Sequence, residues 1–227
     1  MHPNKETIIL WDIDGTLVKH NDIDLKSSSH SIFLSALGFE IAIQPEQLSG
    51  LTDYEVLINT LIMNNVLLKK FDLNKLLQKF DNFYFEHSLK SVESLVPIID
   101  VNELNALRES FEFGILTGNT KMRCKLKLDR IGLKYEIDSR FIFYCDGNKS
   151  RINLVQAAYQ EVYLKLKKNI VVIGDTPSDF LSANSLGLPT ISIASGKYSL
   201  EELCSINKGL VLKKFDRLMI EEFIANI

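Results

Sequence analysis

The sequence of residues 7–16 is TIILWDIDGT, a short apolar run followed by two aspartates that flank one isoleucine. The run from Thr7 to Trp11 is rich in β-branched and aromatic residues, which predicts a buried strand with Trp11 packed in the core. Asp12 and Asp14 stand at the carboxyl end of that strand. Ligands of open α/β sheets bind beyond the carboxyl ends of the strands. We therefore expect both aspartates at a binding site, rather than as simple turn residues.

The rest of the chain has two patterns. Residues 18–94 show apolar residues at helical spacing and few glycines, which predicts a helical insert. From residue 95 onward, short apolar runs alternate with helical segments, which is typical of a parallel sheet built from βαβ units. The sequence therefore predicts an α/β core formed by residues 1–17 and 95–227, with the insert lying over the end of the first strand.

Two later strands are also expected to end in polar residues. The run Phe113 to Leu116 precedes Thr117-Gly118-Asn119, and the run Ile170 to Ile173 precedes the sequence GDTPSD of residues 174–179. Carboxylates gathered at one edge repel each other unless a cation lies among them, and hard oxygen ligands suit Mg²⁺. A carboxylate can attack phosphorus, and backbone N–H groups at a helix start can bind phosphate oxygens. These residue types are therefore typical of an enzyme that transfers phosphoryl groups with the help of Mg²⁺.

The three motifs, in their order, spacing and strand-end placement, resemble those of the haloacid dehalogenase-like hydrolase superfamily. The resemblance covers essentially the whole chain and implies a Rossmann-like parallel sheet core with a helical cap domain inserted after the first strand. The large insert resembles the cap of the phosphoglycolate-phosphatase-like branch, and Gly50-Leu51-Thr52-Asp53 resembles a cap sequence common there. A loop followed by Asp53 as the N-cap of a helix would explain those four residues equally well.

The resemblance also implies roles for individual residues. Asp12 is the expected nucleophile, and Asp14 is the expected general acid and then base, with its backbone carbonyl on the metal. Thr117 is expected to hold the phosphoryl group during transfer, and Asp179 to support the metal site from outside the ligand shell. The residues expected to bind phosphate are Gly118, Asn119 and Lys149, and those expected to form the Mg²⁺ site are Asp12, Asp14, Asp175 and Asp179.

The family also requires a cation beside the nucleophile. Lys149 and Arg151 are the two candidates, in the sequence YCDGNKSR of residues 144–151. Asp146 followed by Arg151 resembles the Asp-to-Arg spacing of one phosphatase subgroup, whereas the more common Lys-Pro pair is absent. We therefore expect Arg151, which opens a helix, to be the catalytic cation.

The function expected from these residues is that of a magnesium-dependent phosphatase, a phosphoric monoester hydrolase acting on a small phosphorylated metabolite through an aspartyl-phosphate. A phosphomutase of the β-phosphoglucomutase type remains an alternative, because Asp14 serves both reactions. A 2-haloacid dehalogenase is disfavoured by the presence of Asp14. A non-enzymatic binding role is disfavoured by the intact set Asp12, Asp14 and Asp175.

Composition narrows the classes of partner. The chain of 227 residues has a formal net charge of −3 and 46% apolar residues, so neither a nucleic-acid partner nor a membrane is expected. No apolar run approaches the roughly 18 residues of a membrane span. The cysteines, Cys124, Cys145 and Cys204, are few and widely spaced, which predicts small buried side chains in a reducing compartment. Cytoplasmic localisation is therefore expected.

Overall fold

The computed structural model describes residues 6–21, 49–70, 72–87, 93–133, 137–146 and 150–227. Within them, six parallel strands form one sheet with helices on both sides. The order across the sheet is β5-β4-β1-β6-β7-β8, which confirms the expected α/β class. The strands are β1 (Thr7–Trp11), β4 (Glu112–Leu116), β5 (Ile142–Phe143), β6 (Asn169–Gly174), β7 (Thr190–Ile193) and β8 (Leu210–Leu212).

A second, small sheet joins two strands that are far apart in the chain. Strands β2 (Val18–His20) and β3 (Leu95–Pro97) pair antiparallel. β2 falls inside the segment predicted to be helical, because a strand of three residues is too short to show an alternating pattern. The helices α1 (Asp53–Met63) and α2 (Leu73–His87) lie between these two strands in the chain.

The remaining helices connect the strands of the main sheet or follow the last one. The last residues of α5 continue directly into a wider, π-helical segment, Tyr159–Lys165. The helices are α3 (Val101–Ser110), α4 (Lys121–Arg130), α5 (Arg151–Ala158), α6 (Pro177–Asn184), α7 (Leu200–Ile206) and α8 (Arg217–Ala225).

Strand β1 is buried on both faces, as predicted for this apolar run. Ile9 and Trp11 pack into one apolar cluster, and Ile8 and Leu10 into another on the opposite face. The alternation follows from the two-residue repeat of a strand. Trp11 is fully buried and its ring lies 5.4 Å from that of Phe113, as expected for a core residue.

A third apolar cluster joins the two helices of the segment predicted as an insert, α1 and α2, to residues beside the main sheet. Leu57 and Leu61 of α1 pack with Phe80 of α2, and the cluster also contains Cys145 and the partly buried Leu126 of α4. The insert helices therefore contact the edge of the sheet where the chain leaves β5.

The cysteines differ from expectation in one case. Cys124 and Cys145 are buried, as predicted, but Cys204 is exposed on α7. Helix α7 is short and its buried position is taken by Leu203, so its next residue faces solvent.

No described helix has the length and apolar character needed to span a membrane.

Candidate active site

Three neighbouring strands bring the predicted motifs to one edge. β1 lies between β4 and β6, and Trp11 is level with Ile115 on one side and Ile173 on the other. The residues that follow these strands, Asp12, Thr117 and Asp175, are therefore placed next to each other. This arrangement arises from the strand order alone, because parallel strands end at the same edge.

Three buried carboxylates converge at this edge. One oxygen each of Asp12, Asp175 and Asp179 lies within 4.8 Å of the others. Asp175 accepts a hydrogen bond of 3.1 Å from the hydroxyl of Thr16. Burial, together with the nearby charge of Asp12, raises the pKa of Asp175 to about 8. Burial also raises the pKa of Asp12, although the adjacent guanidinium of Arg151 opposes it.

Space around Asp175 is tight. A Cβ placed on Gly196 would lie 1.7 Å from Oδ2 of Asp175. Ser195, beside that glycine, donates a hydrogen bond of 2.6 Å to the backbone oxygen of Gly15. The loop after β7 therefore closes one side of the carboxylate cluster, and any residue other than glycine at position 196 would displace the Asp175 carboxylate.

Arg151 is the cation of this cluster among the described residues. Its Nη2 lies 2.9 Å from Oδ1 of Asp12 and also contacts Oδ1 of Asp179, and the residue is only 6% exposed. The side chain of Ser150 accepts a hydrogen bond from the backbone of Asn153 and so begins α5 just before Arg151. The structure thus places Arg151 where the sequence predicted a cation. Lys149 lies outside the described residues.

Asp179 has two sets of partners. Its Oδ2 accepts hydrogen bonds from the backbone N (3.0 Å) and the hydroxyl (2.7 Å) of Thr176, the N-cap residue of α6. The first of these is the bond from the N-cap backbone to the N3 side chain that occurs in a capping box. Its Oδ1 contacts Arg151. The carboxylate predicted to support the metal site is thus fixed by the helix that carries it.

The carboxylate of Asp14 has its own set of partners, separate from the group of Asp12, Asp175 and Asp179, and is about half exposed, with 47% of its side chain accessible. Both of its oxygens lie 2.6 Å from Nζ of Lys127, and Nδ2 of Asn119 donates a hydrogen bond of 2.7 Å to Oδ2. Partial removal from water would raise the pKa of Asp14, but the charges of Lys127 and Arg123 outweigh this and hold the pKa well below its usual range.

Lys127 was missed by the sequence analysis. It belongs to α4, whose sequence KMRCKLKLDR places basic residues throughout the helix, as expected for a solvated face. Its position was nevertheless informative, because Cys124 and Leu128 are buried on the same side of α4. A lysine three or four residues from buried positions lies on the buried face of its helix. Such a lysine is expected to be paired with an acidic or polar group inside the protein.

The second motif forms one hydrogen-bonded loop. The hydroxyl of Thr117 accepts hydrogen bonds from the backbone N (3.2 Å) and from Nδ2 (2.7 Å) of Asn119. Both residues are buried. A Cβ on Gly118 would lie 2.9 Å from the backbone of Leu51 and Thr52, so glycine permits close contact with the insert.

The residues Gly50 to Asp53 lie against the same edge. Thr52 forms a capping box with Glu55 at the start of α1. Next to it, the buried Asp53 accepts a hydrogen bond of 2.7 Å from the backbone N of Thr120, forms an ion pair with Arg123, and donates its own backbone N–H to the oxygen of Gly118 (2.8 Å). A helix therefore starts at this sequence, but its N-cap residue is Thr52 and not Asp53 as expected. The resemblance of these residues to a cap sequence stays a prediction.

A further contact joins α2 to Thr120, at the start of α4. The hydroxyl of Thr120 donates a hydrogen bond to Asp81. Burial raises the pKa of Asp81 to about 6, with the nearby Asp53 and Asp146 adding to the shift and Arg123 opposing it. Neither Asp81 nor Arg123 carried a signal in the sequence, since each lies in a helix rich in charged residues.

Comparison with known proteins identifies the class. The family model for haloacid dehalogenase-like hydrolases matches residues 9–193, so the chain belongs to this family of hydrolytic enzymes. None of the proteins with curated functions matches the chain.

Solved structures with the same fold are numerous. A predicted phosphatase from Clostridium acetobutylicum is 18% identical with a TM-score of 0.65, covering 97% of this chain and 99% of its own. A β-phosphoglucomutase from Clostridium difficile is 17% identical with a TM-score of 0.71, covering 97% of each chain. A predicted phosphoglycolate phosphatase from Haemophilus somnus is 17% identical with a TM-score of 0.64, covering 95% of this chain and 97% of its own. At these identities the likeness concerns the fold.

Proposed function

We propose that this chain is a magnesium-dependent phosphatase that removes phosphate from a small phosphorylated metabolite through an aspartyl-phosphate on Asp12. The observation that carries the proposal is the setting of the Asp12 carboxylate. It is buried at the end of the central strand, in contact with the guanidinium of Arg151 and beside two further carboxylates. A nucleophilic carboxylate facing a phosphate dianion needs positive charge beside it to overcome repulsion. Arg151 supplies part of that charge, and a cation among the carboxylates would supply the rest.

The residues fit a bound Mg²⁺. Three oxygen donors lie within 4.8 Å of one another. Burial and, after it, the charge of Asp12 raise the pKa of Asp175, and Arg151 does not fully offset them. Asp12, Asp175 and the backbone carbonyl of Asp14 would hold the ion, with Asp179 in support. When bound, Mg²⁺ would neutralise these carboxylates and polarise the phosphoryl oxygens.

The chain's own residues would then carry out two transfers. In the first, an oxygen of Asp12 forms a bond to phosphorus while the bond to the leaving oxygen breaks, and Asp14 donates a proton to that oxygen. In the second, Asp14 removes a proton from water, which attacks phosphorus and releases Asp12 and inorganic phosphate. The close contact with Lys127 favours the ionised form of Asp14 that accepts this proton, and a nearby phosphate dianion favours the protonated form.

The groups around Asp12 would bind the phosphoryl oxygens. Arg151 offers a planar set of donors, and its buried Nε has no hydrogen-bond partner among the described residues. Thr117, which follows the neighbouring strand β4, can donate its hydroxyl proton while still accepting from Asn119. Gly118 leaves the backbone open to close approach.

We infer that residues 18–94 act as a cap over a core of residues 1–17 and 95–227. Contacts of Asp53 and Asp81 with the start of α4, and of Gly50 with the residues after β6, support this division. A cap excludes water and supplies the side chains that select the metabolite. The proposed setting is the cytoplasm, without a nucleic-acid or membrane partner.

The proposal is tested by phosphate release from a panel of phosphorylated metabolites, with Mg²⁺ or excess chelator. Activity with Mg²⁺ and none with chelator is expected. Asp12→Asn should abolish turnover, because an amide cannot attack phosphorus. Asp14→Asn should lower it by about 10²–10⁴-fold. Full turnover by folded Asp12→Asn would refute the nucleophile, and isomerised sugar phosphate without phosphate release would indicate a mutase.

A further inference from the structure

Lys127 is the most deeply buried cation among the described residues, with 1% of its surface exposed. Burial of an ammonium group is costly unless several acceptors surround it. Here Nζ lies 2.6 Å from each oxygen of Asp14 and 2.8 Å from Oδ1 of Asn119. All three donor positions of the ammonium can therefore be used within the site.

The position of Lys127 on α4 makes this geometry rigid. Cys124 and Leu128, both buried, lie on the same side of the helix, whereas Lys125 is exposed. The start of α4 is held by the hydroxyl of Thr120, which accepts a hydrogen bond from the backbone of Arg123. The ammonium group therefore reaches Asp14 from a fixed helix, not from a mobile surface side chain.

Lys127 also determines the orientation of Asn119. An ammonium group only donates hydrogen bonds, so the amide must turn its oxygen towards Lys127. Nδ2 of Asn119 then faces Oδ2 of Asp14 and the hydroxyl oxygen of Thr117, each at 2.7 Å. One lysine thus aligns the side chain expected to transfer protons and the loop expected to bind the phosphoryl group.

We propose that Lys127 is a positioning residue for phosphoryl transfer, which holds Asp14 at the distance and angle needed to protonate the leaving oxygen. This inference rests on the proposed function. Without Lys127, the half-exposed Asp14 could turn into solvent, and Asn119 could flip its amide. Misplacement of a reacting group by about 1 Å can cost about 10²-fold in rate.

The leaving group provides the test. An alkyl phosphate requires protonation of its leaving oxygen, whereas p-nitrophenyl phosphate requires little. The value of kcat/KM reports steps up to the first irreversible one, release of the leaving group. Lys127→Met is expected to lower kcat/KM by about 10²-fold for the alkyl phosphate and far less for p-nitrophenyl phosphate. Lys125→Met, the same change at an exposed position of α4, should match the wild-type enzyme on both substrates.

A double-mutant cycle separates positioning from general damage. If Lys127 acts through Asp14, then Lys127→Met should have little further effect in the Asp14→Asn background. Equal losses on both substrates, or a full additional loss in that background, would overturn the inference. Should Lys127→Met fail to fold, Lys127→Gln, which retains a donor without a charge, allows the same comparison.

The two proposals fail in different ways. If folded Asp12→Asn retains activity, both the proposed function and the inference about Lys127 are refuted. An inactive Asp12→Asn together with wild-type kinetics in Lys127→Met removes only the role of Lys127.

Discussion

Replacing Arg151 with methionine removes a cation from a buried group of three carboxylates while keeping much of the side-chain volume. At an effective dielectric constant of about 20, unit charges at the 2.9 Å separation of Arg151 and Asp12 attract by about 6 kcal/mol. Part of this is lost in desolvating the guanidinium. Breaking a buried pair by removing one partner typically destabilises a protein by about 3–5 kcal/mol, and we expect this loss for Arg151→Met without metal.

Urea denaturation of the wild-type protein and of Arg151→Met, each in chelator and in excess Mg²⁺, measures the effect. A ligand present at about 100 times its Kd stabilises the native state by about 2.7 kcal/mol. Mg²⁺ should therefore restore much of the stability of the variant without restoring turnover, because Arg151 also binds the phosphoryl group. Arg140→Met breaks an exposed ion pair with Asp138 and should change neither property. Wild-type stability of Arg151→Met in chelator would refute the view that Arg151 offsets the carboxylate charge.

Three further outcomes are expected. Folding raises the pKa of Asp81 from 3.8 to about 6, so the folded state favours the protonated carboxyl group. The stability that this protonated group contributes is fully present below pH 3.8 and is lost as pH rises through about 6. Asp81→Asn should therefore exceed the wild type in urea midpoint near pH 7, by a margin that disappears near pH 4; a margin independent of pH would contradict this. Gly196→Ala should rotate the Asp175 carboxylate aside at a stability cost of about 1 kcal/mol and weaken Mg²⁺ binding by about 10–100-fold, measured by thermal unfolding and by metal titration. Leu57→Ala, in the cluster that joins insert and core, should lower the free energy of unfolding by about 2–5 kcal/mol; a loss below about 1 kcal/mol would show that the cluster is loosely packed.

The sequence was sufficient to predict the parallel sheet and the meeting of three strand ends. That success has a simple basis. The strands that carry Asp12, Thr117 and Asp175 are short, apolar and bounded by polar residues, and the order of parallel strands places their ends together without any knowledge of side-chain contacts. Arg151 was expected near Asp12 on two grounds, the Asp-to-Arg spacing of the subgroup that the sequence resembles and its place at the start of a helix. Its contact with Asp12 agrees with that placement, and its catalytic role stays a prediction.

The partners of Asp14 could not be predicted in this way. Lys127 lies ten residues beyond Thr117 in a helix with many basic residues, and only the packing of α4 decides which of them turns inward. The contacts of Asp53 with Thr120 and Arg123 likewise join segments that are far apart in the chain. Such pairings depend on the docking of the insert, which neither periodicity nor local motifs encode.

The contacts of Asp179 with both Thr176 and Arg151 bear on how the sequences of related proteins should be compared. This aspartate begins helix α6 through Thr176 and contacts Arg151, so selection for folding alone would preserve it in a descendant that had lost its chemistry. Its presence in another sequence is therefore weak evidence of activity. Asp14, half exposed and outside any helix cap, would drift once turnover ceased, and Lys127 would be expected to drift with it. Across an alignment, joint loss of these two residues would mark former enzymes that still fold.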